Sequence, residues 1–257
     1  MPNTPTDIYT GERLPGRKQI LIATPWWGVS PPECQDWRMT QAYRMGKLEA
    51  HPNCPWQFSF GTVSDMLVQA ARDLICKEAI RLNMDYVGMV DDDMYGPKCM
   101  NMWEQLLFHD LDIVAPLCFM RNPPHFPVVF ANRGGQDTKS GEWHWQSHVV
   151  RNYPKNKLFE CDAVGFGAVL IKTEVLKKMP EPWFFSMANK GEDIHFCHKA
   201  RDLGFRVFCD SSLKLDHLSP RHYVGEEWYE AHNKDVDEIR AVHGDWNLAR
   251  SRENLNR

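Results

Sequence analysis

The chain has 257 residues, 43% of them hydrophobic, with ten tryptophans and a formal net charge of −4. That length allows one large domain or two fused halves with a sizeable core, and the near-balanced charge points neither toward nor away from an anionic partner. The eight cysteines are scattered with no Cys-x-x-Cys pair, which disfavours a zinc ribbon or a small disulfide scaffold and predicts buried, reduced thiols in a cytoplasmic protein.

In chain order, residues 1–18 read as a polar lead-in with no apolar secretory core. No later run approaches the ~18 apolar residues of a membrane span. Gln19 to Thr24 is a short apolar run, read as the first central strand. It ends in the turn Pro25-Trp26-Trp27-Gly28, whose rings either stack on a nucleobase or pack in the core. Gln35 to Ala50 reads as a helix and Phe58 to Phe60 as a second strand. Apolar residues at 63, 66, 67, 70, 71, 74, 75 and 79 predict a helix over Val63 to Leu82, with Thr62 and Asp65 as a capping box.

Asp85 to Met94 is the most informative stretch. Tyr86 to Val90 is uninterruptedly apolar or neutral and stops at Asp91-Asp92-Asp93. Such a run predicts a strand buried on both faces, as in a parallel sheet. Ligands of open α/β sheets lie beyond the carboxyl ends of strands, where these aspartates fall. Three adjacent like charges need an offsetting positive group, and a divalent cation with oxygen ligands is the natural one. The alternative is a plain acidic turn.

Lys98 to His109 reads as a helix and Asp112 to Phe119 as another buried strand. Residues 121–157 change texture, with proline turns, aromatics and six cationic residues against two acidic ones. They read as hairpins and loops. Leu158 to Val164 and Ala168 to Ile171 read as strands flanking Gly165-Phe166-Gly167, and Thr173 to Met179 as a short helix. After a loop over Pro180 to Lys190, Glu192-Asp193 open a helix over Ile194 to Leu203, with Gly204 as its C-cap. Arg206 to Cys209 and Lys214 to His217 read as short strands. Residues 221–257 form a polar, C-terminal helical tail with an apolar stripe that includes Trp228.

Three constellations carry chemistry: Asp91-Asp92-Asp93, Glu192-Asp193 and His217. Each alone is weak, because acidic residues are favoured in a helix's first turn and a lone histidine is more often structural. Their order is more specific. Ala70-Ala71-Arg72-Asp73 followed by Asp85 to Met94 resembles the helix, strand and D-x-D element of glycosyltransferases of the GT-A fold, in the broad family-two-like group. Cys161 to Ile171 resembles the glycine-containing segment of that family, Gly191 to Cys197 its E-D element, and Leu215-Asp216-His217 its closing histidine. The resemblance runs over about residues 19–217 and is patchy between 29–60 and 121–157.

The resemblance implies an α/β, GT-A fold, a Rossmann-like mixed sheet flanked by helices. It implies one catalytic domain over 1–220, with a nucleotide-sugar half at about 19–120 and an acceptor half at about 121–220. It implies a nucleotide-diphosphate sugar donor and Mn2+ or Mg2+. Asp91, Asp93 and His217 match the metal positions, with Asp93 nearer the metal and Asp91 nearer the ribose or sugar. The run of three leaves that register open, and Asp92 shares the donor side. Thr24, Pro25, Trp26 and Arg72 match nucleotide or donor contacts, and Gly165 and Gly167 the glycine segment. Asp193 matches the catalytic base of inverting members, with Glu192 as the alternative. A helix start favours the ionised carboxylate, keeping such a base deprotonated but limiting its basicity.

The chemistry is coherent with this. A cation bridging two phosphates stabilises a departing diphosphate, and a positioned carboxylate activates an acceptor hydroxyl. The basic, aromatic segment 121–157 suits a phosphorylated or nucleic-acid acceptor, a modified DNA base among them, against an ordinary solvated hairpin face. The competing readings are a metal-dependent phosphate-ester hydrolase and a non-catalytic nucleotide-sugar-binding protein.

Overall fold

A computed structural model describes residues 6–26, 28, 30–136, 143–185, 191–219 and 223–232. The lead-in contributes a strand, β1 (Thr6–Tyr9). The first apolar run lies in β2 (Lys18–Trp26), buried from Gln19 to Pro25. Helix α1 (Pro32–Glu49) starts three residues before the expected Gln35. Proline suits a first helical turn, where its missing N–H costs nothing. β3 (Trp56–Ser64) is much longer than Phe58 to Phe60. It includes Val63, which is fully buried and pairs with Pro25. Asp65 then turns the chain at a positive φ of 61°, so the expected capping box is absent and α2 (Val68–Arg81) begins later.

β4 (Tyr86–Val90) is buried at all five positions, as expected. Its centre must be glycine. A Cβ on Gly88 would stand 2.6 Å from Ile22 Cδ1 and 2.7 Å from Trp103 Cζ3. After the aspartates come β5 (Met94–Tyr95), α3 (Met102–His109) and β6 (Ile113–Leu117). The 121–157 segment holds a hairpin, β7 (Val129–Gln136) and β8 (Trp143–Val149). The run expected as one strand over 158–164 divides into β9 (Leu158–Cys161) and β10 (Ala163–Val164), which join different sheets. The break is at Asp162, whose carboxylate accepts from Asn132 N at 2.7 Å and pairs with Arg201 at 2.5 Å.

β11 (Ala168–Lys172), α4 (Thr173–Lys178), α5 (Glu192–Asp202) and β12 (Val207–Lys214) follow. Gly204 closes α5 at a φ of 88°, a conformation glycine adopts without strain. Three short elements end the described chain: β13 (Asp216–Leu218), β14 (Tyr223–Val224) and α6 (Glu226–His232). The rest of the expected tail helix lies outside the described residues.

Among the described residues the main sheet has eight strands, in the order β1-β3-β2-β4-β11-β6-β12-β9. β2 is parallel to β3 and β4, and β6 is parallel to β12. β11 runs antiparallel to both β4 and β6, which therefore point the same way. β2, β3, β4, β6 and β12 thus end at one edge of the sheet. The fold class expected of a GT-A protein, α/β with a Rossmann-like mixed sheet flanked by helices, is the one observed.

Alternate residues of each strand feed two apolar layers. Leu21, Val87 and Met89 face Ile75, Leu176 and Phe196 of α2, α4 and α5. Ile20, Tyr86 and Val90 face Trp37 and Trp103 of α1 and α3. Each such side chain, fully buried, contributes about 1.5–3 kcal/mol. All eight cysteines are buried, and none is in a disulfide. No helix among the described residues is long and apolar enough to cross a membrane.

Candidate active site

The carboxyl edge of the sheet opens into a cavity of ≈ 520 Å³. Asp91, Asp92 and Asp93 line it on one side, Pro25 and Trp26 on another, and Met66 to Val68 add an apolar rim. The three aspartates leave β4 as its pairing with β11 ends, and Asp91 N donates to Gly167 O at 2.9 Å. Each aspartate is then held by a different part of the chain.

Asp91 is gripped by Arg72 from α2. Nη2 donates to Oδ1 and Oδ2 at 2.9 and 3.0 Å, and to Phe166 O at 3.0 Å. Arg72 Nη1 donates to Glu192 Oε1 at the start of α5. The Arg72 side chain is 3% exposed. It sits behind the aspartates and is not part of the cavity wall, so the arginine matched to a donor contact is a clamp in this structure. Burial pushes the Asp91 carboxyl up to about 6, against the pull of Arg72.

Asp92 is fixed through its backbone. Its carbonyl accepts from Ser30 Oγ at 2.6 Å and Arg38 Nη1 at 2.9 Å, and Arg38 also donates to Ser30 Oγ at 2.8 Å. The same guanidinium stacks 5.2 Å from the Trp26 ring. Arg38 thereby ties the tip of β2 to the aspartate turn. Trp26 faces the cavity, whereas Trp27 lies outside the described residues. Thr24 is buried and pairs with Thr62, inside the sheet and not on the cavity wall.

Asp93 meets His217 and Arg121. The small sheet β14-β13-β5 sets His217 beside Met94. His217 Nε2 is 3.1 Å from Asp93 Oδ2, and its Nδ1 is 2.9 Å from Phe119 O. Both ring nitrogens face oxygen acceptors, which favours a doubly protonated ring. Burial works against that charge, but Asp93 outweighs it and raises the His217 pKa. Burial would likewise raise Asp93, yet His217 and Arg121 hold it below the ordinary carboxylate value. Arg121 Nη1 is 3.3 Å from the same Oδ2.

The donor chemistry of this pair suits a divalent cation. Two neighbouring ligands of an octahedral cation, each at about 2.1 Å, stand about 3 Å apart. The Nδ1–H···O=C bond is the kind of outer contact that orients a ligating imidazole. A fuller protein cage is not formed: among the described residues no group of three or more His, Cys, Asp or Glu side chains is arranged to hold a metal ion. The physical reason is that Asp91 turns to Arg72 and leaves Asp93 and His217 as a two-ligand foothold.

The E-D element sits behind this wall. Asp193 Oδ1 accepts from Ile194 N at 2.7 Å and Oδ2 from Phe166 N at 3.3 Å. Burial raises its carboxyl above the ordinary value. The expected limit on its basicity from the helix start is thus outweighed by desolvation. Glu192 is the partner of Arg72, so the two acids point to different tasks. Gly165 and Gly167 serve packing and backbone pairing. A Cβ on Gly165 would meet Val128 Cγ1 at 2.6 Å, and one on Gly167 would meet Met94 Sδ at 3.0 Å.

The basic segment 121–157 is less available than its composition suggests. Lys155 pairs with Glu226 and Glu230 at 2.8 and 2.6 Å, and Arg151 lies 4.0 Å over the Phe126 ring. The side chains of Arg133 and Lys139 lie outside the described residues. Arg121 was read as part of that segment, and Arg38 and Ser30 carried no sequence signal at all. Arg121 follows the carboxyl end of β6 just as the aspartates follow β4, which is the signal that could have placed it.

No family model matches the chain, and no curated protein matches it. Among solved structures it is similar to A197 from STIV, with 16% identity and a TM-score of 0.52 over 82% of this chain and 91% of that one. At that identity the likeness shows the fold alone. A structure of GalNAc-T7 with UDP, GalNAc and Mn2+ matches at 12% identity and a TM-score of 0.41, over 86% of this chain. The chain spans about half (48%) of the length of that protein, and a likeness at this level carries no argument about this site.

Proposed function

We propose that this protein is a GT-A-type glycosyltransferase that moves a sugar from a nucleotide-diphosphate donor to an acceptor hydroxyl with inversion. The reading rests on one observation. Asp91, Asp92 and Asp93 converge with Trp26, Arg121 and the neighbouring His217 around one cavity at the carboxyl edge of the sheet. In this reading Asp93 and His217 hold Mn2+ or Mg2+, which would stabilise the charge of the leaving diphosphate when bound. Asp91, fixed by the Arg72 clamp, faces the ribose or sugar, and Trp26 with Pro25 stacks on the base. Asp193, partly exposed at the start of α5 but off the cavity wall in this structure, is the proposed base for the acceptor hydroxyl. Its raised carboxyl makes it a stronger base than an exposed aspartate, and Glu192 neutralises Arg72. The acceptor approaches from the 121–157 side, and a phosphorylated or nucleic-acid acceptor suits Arg151 and Lys157.

The test is a thermal-shift screen of nucleotide sugars with and without Mn2+, since a ligand bound to the native state alone raises the melting temperature. A manganese-dependent shift by one donor class, lost in Asp93→Asn, is the expected result. Release of the nucleoside diphosphate with an acceptor present then separates an enzyme from a binder. No shift by any nucleotide sugar would remove the reading.

A further inference from the structure

Among the described residues three guanidinium groups surround the aspartate turn, and two of them are committed. Arg72 is buried and bonded to Asp91, Glu192 and Phe166 O. Arg38 is bonded to Asp92 O and Ser30 Oγ and stacked on Trp26. Arg121 differs. Its side chain is 52% exposed, lines the cavity, and meets Asp93 Oδ2 at 3.3 Å. That is longer than a strong charge-assisted bond, and pairs so exposed contribute little.

The backbone immediately before Arg121, by contrast, is braced. Met120 N donates to Phe126 O at 2.9 Å, and His125 Nδ1 lies 3.1 Å from Met120 O. Trp228 of α6 packs edge-on to the His125 ring at 4.4 Å. A long, half-exposed cationic side chain thus stands beside a cavity walled by three carboxylates, next to a braced Met120. Its carboxylate oxygen is the one His217 also uses, 3.1 Å away. A divalent cation on that oxygen and a guanidinium on that oxygen repel each other.

We infer that Arg121 is an exchangeable counter-ion. It pairs with Asp93 in this structure, and it trades that carboxylate for the diphosphate of the donor when a divalent cation takes the Asp93–His217 pair. The guanidinium fork matches two phosphate oxygens at once, which an ammonium does not. This inference rests on the donor-site reading above and assigns the anion-binding residue within it.

The experiment titrates full-length protein with Mn2+ alone, and then with inorganic pyrophosphate at saturating Mn2+, by calorimetry. Arg121→Gln should hold or raise the affinity for Mn2+, because a competing cation is gone. It should weaken pyrophosphate binding roughly 10- to 100-fold, the worth of a charge-assisted hydrogen bond. Arg121→Lys should fall between, keeping the charge and losing the fork. A purely structural arginine would not weaken pyrophosphate binding while leaving the affinity for Mn2+ intact or higher. Unchanged pyrophosphate affinity in Arg121→Gln, or a loss of Mn2+ affinity, overturns the inference. If Asp93→Asn still abolishes pyrophosphate binding in that case, the donor-site reading survives without it. Absence of manganese-dependent pyrophosphate binding in the wild-type protein overturns both.

Discussion

Replacing Arg72 by methionine tests the clamp that joins α2, the aspartate turn and the start of α5. The substitution keeps most of the stem volume and removes the guanidinium. The Arg72 side chain is 3% exposed, and its partners Asp91 and Glu192 are 23% and 15% exposed. Phe166 O loses a donor as well. Two largely buried carboxylates are then left without their cation, and neither can reach bulk water without moving the wall. Removing one partner of a buried pair costs about 3–5 kcal/mol. For a chain of this size that is a fall in melting temperature of roughly 6–20 °C. Urea unfolding followed by tryptophan fluorescence measures it. Adding Asp91→Asn and Glu192→Gln should recover part of the loss, because the stranded charges go with the clamp. A loss below about 1 kcal/mol, the size of an exposed pair, would refute the reasoning. It would mean that water reaches Asp91 and Glu192 once the guanidinium is gone.

Asp93→Ala should abolish manganese-dependent donor binding while the protein still melts cooperatively; retained manganese-dependent binding would remove Asp93 from the site. Asp193→Asn should keep donor binding and lose transfer by ~10²–10⁴-fold. A product with the donor's own anomeric configuration, seen in NMR couplings, would exclude Asp193 as the base of a single inverting displacement. Mn2+ binding should weaken as pH falls. The His217 ring, its pKa raised by Asp93, must lose a proton to ligate, and Asp91 titrates at about 6. Affinity should therefore rise with proton release as pH climbs through the raised His217 pKa, and a flat profile would contradict the assignment. Gly88→Ala should destabilise the fold by about 1–3 kcal/mol through overpacking against Ile22 and Trp103. An unchanged melting temperature would show that Trp103 can move aside.

The strand bearing the aspartates was legible because nothing else in the chain sets five apolar or neutral residues directly against three charges. Glu192, Asp193 and His217 were legible through their order, and the structure brings all three within the neighbourhood of β4. Other features were hidden for definite reasons. Apolar spacing could not tell the buried end of β3 from the first turn of α2, because Val63 satisfies both patterns. The break at Asp162 depends on Asn132 and Arg201, which come from a hairpin and a distant helix. Arg72 was matched to a ligand contact because sequence reports the residue and not where its side chain ends. The surroundings of Asp193 are hidden for a related reason. The helix start is visible in the sequence, whereas the burial that outweighs it is a tertiary property.

The like-charge problem of Asp91-Asp92-Asp93 has a more differentiated answer than a single cation. Each residue is given its own positive partner from a separate part of the chain: Arg72 for Asp91, Arg38 at the backbone of Asp92, His217 and Arg121 for Asp93. These partners are not equivalent. Arg72 is buried and makes several bonds, so Asp91 cannot be freed without breaking the wall. Arg38 holds a carbonyl, so it fixes the turn without neutralising a carboxylate oxygen directly. At Asp93 the partners are a histidine, which can give up its proton, and a half-exposed arginine, which can swing away. Exchange of charge at this edge of the sheet therefore costs least at Asp93. That asymmetry makes Asp93 the aspartate whose partners a ligand-borne cation would displace at least cost, and leaves Asp91 as a fixed carboxylate beside it.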